Sequence, residues 1–244
     1  MGRSWVLIRG LGHERAHWGS FIPRMQEQFP EDELYCTDLL GCGEHCNGVA
    51  PVSVPKLMEA VRRDARKQAE PPYLLLTISL GSMVGYAWAM RYPDEVQGLV
   101  LMNTSFYLSP CTQRLRWQVW LPFLRGMLTR DPEASERLIL PIISAQGEFS
   151  EALIQQRADI LRRHPVSRAN RIRQTAAAAF YRGGKEAPSV PTLILSSAGD
   201  RLCSPKCSET FSSRWGVPNY VHPTAGHDLT MDAEDWVLER LRHW

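Results

Sequence analysis

No apolar run in this 244-residue chain approaches the ~20 residues that a membrane-spanning helix needs. The N-terminus, Met1-Gly2-Arg3-Ser4-Trp5, enters an apolar strand almost at once. It lacks the apolar stretch and small-residue cleavage site of a secretory leader. A Met-Gly start invites myristoylation, but that motif wants Ser or Thr at its sixth position, where Val6 stands. These absences imply a cytoplasmic protein. An excess of one charge is also missing. The net charge of +2 is too small to argue for nucleic acid as a partner, and no nucleic-acid-binding motif accompanies it. Metal-ligand spacing is lacking as well. Cys42 and Cys46 flank His45, and Cys203 precedes Cys207, but neither pair has the two-residue spacing of a zinc knuckle. The six cysteines are therefore expected as reduced thiols, with no metal and no cofactor. Repeats and low-complexity tracts are absent. A composition of 44% hydrophobic and 22% charged residues leaves an ordinary globular enzyme, long enough for one sizeable core or for a core plus a cap.

The chain is organised around residues 73–87. Tyr73-Leu74-Leu75-Leu76-Thr77-Ile78 is an apolar run of strand length that drives into Ser79, and a Gly- and Ala-rich helical segment follows. A strand, a serine at a tight turn and a helix make the nucleophile elbow of a hydrolase. Such a turn strains the serine backbone, so the residues two before and two after it must be small. Gly81 meets that demand. Thr77 stands where the usual pattern has glycine, giving T-x-S-x-G, and it is expected to tighten the elbow. Taken alone, the pentapeptide also fits a buried strand that enters a helix with a serine in the turn.

Apolar segments at 4–9, 34–37, 73–78, 97–102, 191–197 and 219–222 read as strands. Helical spacing fills 20–28, 54–69, 82–90 and 233–242 between and after them. Strands apolar on both faces that alternate with helices predict an α/β fold, a mostly parallel sheet of about six strands covered by helices. The alternation stops between residues 106 and 188, where only helical patterns occur, at 113–128, 132–143, 150–163 and 167–181. The expected organisation is a core of residues 1–105 and 189–244, with a helical cap at 106–188 inserted before the penultimate strand. Such sheets bind ligands at their carboxyl edge, so the insertion is expected to cover the site.

A serine needs a base to become a nucleophile, and the base needs an orienting carboxylate. Asp200 follows the fifth predicted strand in a turn, and His227 follows the last one. The order Ser79, Asp200, His227 is that of the hydrolases built on such sheets. At this point the chain resembles the α/β-hydrolase superfamily over essentially its whole length. The matching stretches are Arg9-Gly10-Leu11-Gly12, Asp38-Leu39-Leu40-Gly41-Cys42-Gly43, Ser79-Leu80-Gly81-Ser82, Arg91-Tyr92-Pro93-Asp94-Glu95-Val96, Gly199-Asp200 and Gly226-His227. Within the superfamily it is most similar to compact esterases of the pimeloyl-ACP methyl ester esterase type, which carry a four-helix cap. The resemblance implies that Ser79 is nucleophile, His227 general base and then acid, and Asp200 the residue that orients the imidazole. It also implies an oxyanion hole formed by the N–H groups of Leu11 and Leu80. The superfamily usually has His-Gly where Arg9-Gly10 stands, and its two leading antiparallel strands are missing here.

Asp38 is a second candidate acid, but as the first residue of its loop it is expected to bind local backbone N–H groups. Trp18, Asn103, Phe106, Trp117, Trp120 and Phe123 are the expected substrate-binding residues, with the aromatic residues of 117–124 forming the underside of the cap. Residues 106–188 hold thirteen Arg and Lys against seven Asp and Glu, a surplus of six that leaves the rest of the chain at −4. That concentration reads either as solvated helix faces or as a surface for an acidic partner. The partner would be a substrate carboxylate or an acyl carrier protein, met by Arg162, Arg163, Arg171 and Arg173. The expected activity is hydrolysis of a modest-sized carboxylic ester through an acyl-enzyme. A thioester or C–C hydrolase with the same three residues, or a ligand-binding receptor on the same scaffold, stays open.

Overall fold

A computed structural model describes residues 2–244; Met1, part of the N-terminal stretch weighed above as a leader or lipidation signal, lies outside the described residues. Six strands form one sheet: β1 (Ser4–Ile8), β2 (Glu33–Thr37), β3 (Tyr73–Ile78), β4 (Val96–Met102), β5 (Thr192–Ser197) and β6 (Asn219–His222). Their spatial order is β2-β1-β3-β4-β5-β6, and every pairing is parallel. Parallel neighbours need crossover connections, and helices supply them. These are α1 (Phe21–Gln28), α2 (Val54–Ala65) and α3 (Leu80–Arg91); then α4 (Cys111–Arg114), α5 (Trp120–Leu128), α6 (Pro132–Ile143), α7 (Glu151–Arg163) and α8 (Arg168–Phe180) between β4 and β5; then α9 (Lys206–Trp215), α10 (Leu229–Asp232) and α11 (Glu234–Arg242).

Alternation along each strand splits the core in two. Val6, Ile8, Leu75, Leu99 and Leu101 face one layer, which packs with residues of α2, α3 and α9. Trp5, Leu7, Leu74, Leu76 and Val100 face the other, against Phe21 and Met25 of α1 and Val237, Leu238 and Leu241 of α11. The helix α3 is buried along nearly its whole length, which explains its apolar character all round.

Besides the short α10 (Leu229–Asp232), for which the sequence shows no pattern, two elements differ from the sequence expectation. Residues 113–128 do not form one helix. Leu115 and Arg116 are extended between α4 and a short 3₁₀ turn at Trp117–Val119 that leads into α5. Pro122 has no N–H and its ring crowds a preceding helical carbonyl, so it is best placed in a first turn, and α5 starts two residues before it. The Arg116 N–H instead donates to the Leu202 carbonyl at 2.9 Å, which pins the segment to the β5–α9 loop. The second difference is α9, for which the sequence shows no clear helical pattern. Cys207 and Phe211 are buried on its inner face, and Gly216 ends it with φ of 67°, a left-handed cap that glycine adopts without strain.

Thr77, at the position where glycine is usual, fits because its space is made elsewhere. It is fully buried, and its hydroxyl donates to the Val100 carbonyl at 2.6 Å. Its methyl lies over Gly85 of α3, where an added Cβ would stand 2.7 Å from Thr77 Cγ2. The threonine and the glycine are therefore a matched pair. Gly85→Ala should destabilise the protein in the Thr77 background by about 1–2 kcal/mol net of helix propensity, and much less in Thr77→Gly. A double-mutant cycle by chemical denaturation should return a coupling near 1 kcal/mol or more. Additive effects would mean that the two residues do not share that space.

Candidate active site

Ser79 sits between β3 and α3 with φ of 58° and ψ of −121°, a region that residues with a side chain rarely occupy. The surroundings fix that conformation. The Ser79 N–H donates to the Met102 carbonyl at 2.9 Å, and the Thr104 hydroxyl donates to the Ser79 carbonyl at 2.9 Å. The backbone of the turn presses against β1: a Cβ on Gly81 would stand 2.6 Å from the Arg9 carbonyl oxygen, and one on Gly10 would stand 2.9 Å from Ser79 Cβ. Glycine is required at Gly81 by close backbone approach and at Gly10 by the Ser79 side chain.

Asp200 follows β5 and is buried. Its Oδ1 accepts the N–H groups of Leu202 and Cys203, each at 2.8 Å. Its Oδ2 is 2.7 Å from Nδ1 of His227. Three bonds from two directions leave the carboxylate no freedom to turn. His227 follows β6 and is also buried, and its Nε2 has no hydrogen-bond partner among the described residues. Ser79, His227, Leu11 and Leu80 all line one pocket of about 330 Å³, within the range of small-molecule sites. Leu80 opens α3, so its N–H has no intrahelical partner and lies at the helix end that favours negative charge.

The loop after β1 is held from two sides. Arg9, where histidine is usual in the superfamily, makes a buried two-pronged ion pair with Asp228, the residue after His227. Arg9 Nη1 reaches Asp228 Oδ1 at 3.2 Å and the Thr230 hydroxyl at 3.2 Å. The guanidinium carbon lies 4.8 Å from the Trp18 ring centroid. Burial opposes ionisation of Asp228, but the charge and hydrogen bonds of Arg9 outweigh it and hold the carboxyl well below the usual carboxylate range. From the other side, Arg157 of α7 pairs with Glu136 of α6 at 2.6 Å and donates to His13 Nε2 at 2.8 Å. Burial, with the charges of Arg157 and Arg9, pushes the His13 pKa well down. A neutral ring fits both contacts, since Nε2 accepts from Arg157 while Nδ1 donates to the Leu11 carbonyl at 3.1 Å. Gln174 of α8 accepts the Gly12 N–H at 3.0 Å. None of these anchors carries a motif that the sequence alone displays.

The other expected site residues divide. Trp120 and Phe123 line the pocket. Trp117 does not and is 65% exposed. Trp18 is buried in the core against Phe21, beneath Arg9 rather than in the pocket. Phe106 belongs to an aromatic cluster with Tyr86, Phe211 and Trp215 behind the site. Apolar rings of that size find more contact in the core than at a pocket wall. Asn103 borders the pocket, but its Nδ2 donates to the Ser197 hydroxyl and to the carbonyls of Gly226 and His227, all within 3.0 Å. It holds the histidine loop. Asp38 accepts N–H groups from Arg15 and Glu44 and does not line the pocket.

Known proteins resemble the chain in part and in whole. A pimeloyl-[acyl-carrier protein] methyl ester esterase of Edwardsiella ictaluri is 32% identical over 116 residues, 47% of this chain and 40% of that protein. The chain thus matches less than half the length of that esterase. A Klebsiella pneumoniae protein named as carbamate hydrolase RutD is 25% identical over 94% of this chain and 86% of its own. Among solved structures, a hydrolase from Pseudomonas aeruginosa PA01 superimposes with a TM-score of 0.81 at 19% identity, over 99% of this chain and 89% of that one. The enol-lactonase of Burkholderia xenovorans LB400 gives 0.79 at 18% identity, over 100% of this chain and 91% of that one. At such identities the structural likeness speaks for the fold alone.

The Arg9–Asp228 pair generates a prediction. Asp228→Asn leaves a buried guanidinium without its counter-charge and should cost about 3–5 kcal/mol at pH 7. The folded pKa of Asp228 lies below the unfolded one, so its contribution is complete above the unfolded pKa and fades as pH falls through the folded one. The stability gap between wild type and Asp228→Asn should therefore narrow steadily below about pH 4. Urea denaturation at a series of pH values measures it, and a gap that widens in acid would contradict the assignment. The sheet, the elbow and the ordered loops agree with the sequence model of the Alpha/beta hydrolase family, which matches residues 5–240, and the chain belongs to that family.

Proposed function

We propose that the protein is a serine hydrolase of carboxylic esters that works through an acyl-enzyme. One observation carries the reading: buried His227 holds Asp200 through Nδ1 while its Nε2 has no partner among the described residues, in the pocket that Ser79 also lines. Nδ1 then carries the proton and Nε2 is the free base, the tautomer that proton abstraction from a serine requires. Ser79 attacks the ester carbonyl as His227 Nε2 takes its proton. The oxyanion is met by the N–H groups of Leu80 and Leu11. The imidazolium returns the proton to the departing alkoxide, and water repeats the sequence on the acyl-enzyme. Asp200 fixes the ring and stabilises its positive form.

The helices between β4 and β5 act as a cap in this reading, since Trp120, Phe123 and Met127 of α5 and Ile139 and Ile143 of α6 share the pocket with Ser79. The natural substrate is proposed to be an ester of modest size. An acyl-carrier-protein-linked methyl ester is the specific candidate, supported by the similarity to the Edwardsiella esterase over part of the chain. Of the arginines expected to meet such a carrier, Arg162 is engaged by Glu133 and Asp159 and Arg171 by backbone carbonyls. Of the other two, Arg173 is half-buried and Arg163 is exposed, which makes Arg163 the better candidate. A carbamate presents the same kind of carbonyl, and the relative matched over most of its length carries that name. The six cysteines, all free thiols, support the cytoplasm as the setting.

Ser79→Ala should abolish turnover of p-nitrophenyl esters while the melting curve stays close to wild type. Asp200→Asn should lower kcat by about 10⁴-fold, because it favours the wrong imidazole tautomer, whereas Asp38→Asn should lower it far less. Steady-state kinetics of the three variants decides. Substantial turnover by folded Ser79→Ala, or a larger loss for Asp38→Asn than for Asp200→Asn, would refute the assignment.

A further inference from the structure

Part of the positive surplus in residues 106–188 lies inside the pocket. Arg137, Arg157 and Arg162 are each held by carboxylates. Arg114 and Arg171 line the pocket and are held instead by carbonyl groups at helix ends. Arg114, the last residue of α4, donates Nη1 to the Ala179 carbonyl at 3.1 Å and Nη2 to the Ala178 carbonyl at 2.6 Å, near the end of α8. Arg171 donates Nη1 to the carbonyls of Gly126 at 3.0 Å and Met127 at 3.3 Å, near the end of α5. Terminal helix carbonyls carry partial negative charge. They seat a guanidinium without neutralising it.

The two arginines differ in what surrounds them. Glu136 lies near Arg171 and acts to favour its charge. Burial is the largest influence on Arg114, and its neighbours are Cys207, Cys203, Cys111 and the cation Arg182. Burial pushes the pKa of both guanidinium groups down. Among the described residues the Nε–H of Arg114 is buried without a hydrogen-bond partner; the same holds for Arg9 and Arg240, but Arg9 is ion-paired with Asp228 and Arg240 does not line the pocket. A carboxylate that accepts from Nε–H and an Nη–H side by side would complete the bonding of Arg114.

We propose that Arg114 is the counter-ion site for a carboxylate of the substrate, so that the pocket takes monoesters of short dicarboxylic acids. The inference rests on the reading of Ser79 as nucleophile. One end of the acyl chain presents its ester carbonyl to Ser79, and the other ends on Arg114. The pocket face of α8, formed by Arg171, Thr175, Ala178 and Ala179, runs beside the chain. Seven residues of helix place Arg171 about 10 Å from the seat of Arg114, far enough for the two cations to act separately.

The test is kcat/KM for the mono-p-nitrophenyl esters of glutarate, adipate and suberate against neutral esters of equal acyl length, in wild type, Arg114→Gln and Arg114→Lys. Wild type should favour at least one anionic ester about tenfold or more, the gain of a charge-assisted bond. Arg114→Gln should bring that ratio close to one, and Arg114→Lys should keep most of it. Calorimetric binding of the free dicarboxylates to Ser79→Ala, with and without Arg114→Gln, reads the site independently of turnover. Binding that falls at least tenfold with Arg114→Gln supports the site even if no ester is cleaved, in which case the esterase reading alone falls. Cleavage of neutral esters without anionic preference or dicarboxylate binding would remove the site and leave the esterase. A preference that survives Arg114→Gln would overturn the role of Arg114.

Discussion

The buried ion pair between Arg9 and Asp228 is the contact on which the rest of the site depends. It joins the loop after β1, which carries Leu11, to the loop after β6, which carries His227. Strands β1 and β6 are far apart in the sheet, with β3, β4 and β5 between them. Backbone pairing alone does not set the distance between those two loops. A buried pair of this kind gains little net stability over a hydrophobic replacement, because both charges must leave water. Its effect is geometric, since neither partner can move without exposing the other to a large penalty. Trp18 lies beneath the guanidinium and Thr230 beside it, so the pair is held on two further sides.

A second chain of polar contacts fastens the helices after β4 to the same loop. Glu136 orients Arg157, Arg157 donates to His13, and neutral His13 donates to the Leu11 carbonyl. Gln174 takes the neighbouring Gly12 N–H. Asp232 accepts the N–H groups of both Gly226 and Ala145, tying the histidine loop to the end of α6. The pocket walls and the loops after β1 and β6 thus form one hydrogen-bonded assembly. A movement of α6 and α7 away from the site would have to break the His13 link, where a buried arginine would lose one of its partners.

The sheet was legible in the sequence because strands buried on both faces are continuous apolar runs, as residues 73–78 and 97–102 show. The family match and the neighbouring structures agree with that α/β reading. What escaped the sequence was set by partners distant along the chain. The break at Leu115 and Arg116 follows from Pro122 and from the Leu202 carbonyl. Helix α9 is short, and its apolar positions are outnumbered by polar ones. Thr77 looked too large for its turn because the compensating Gly85 lies one helix away. Phe106 and Trp18 were read as pocket residues from their place after a strand and beside a loop; local position does not say to which side of the backbone a ring turns. Arg9 looked like a bare departure from His-Gly until Asp228 was seen to complete it.

The central claim is that Ser79 becomes covalently acylated by its substrate. Intact-protein and peptide mass spectrometry after brief exposure to a fluorophosphonate tests it most directly. The account predicts a single adduct on the peptide that contains Ser79. A folded protein that remains unmodified, or an adduct carried by a different residue, would contradict the account.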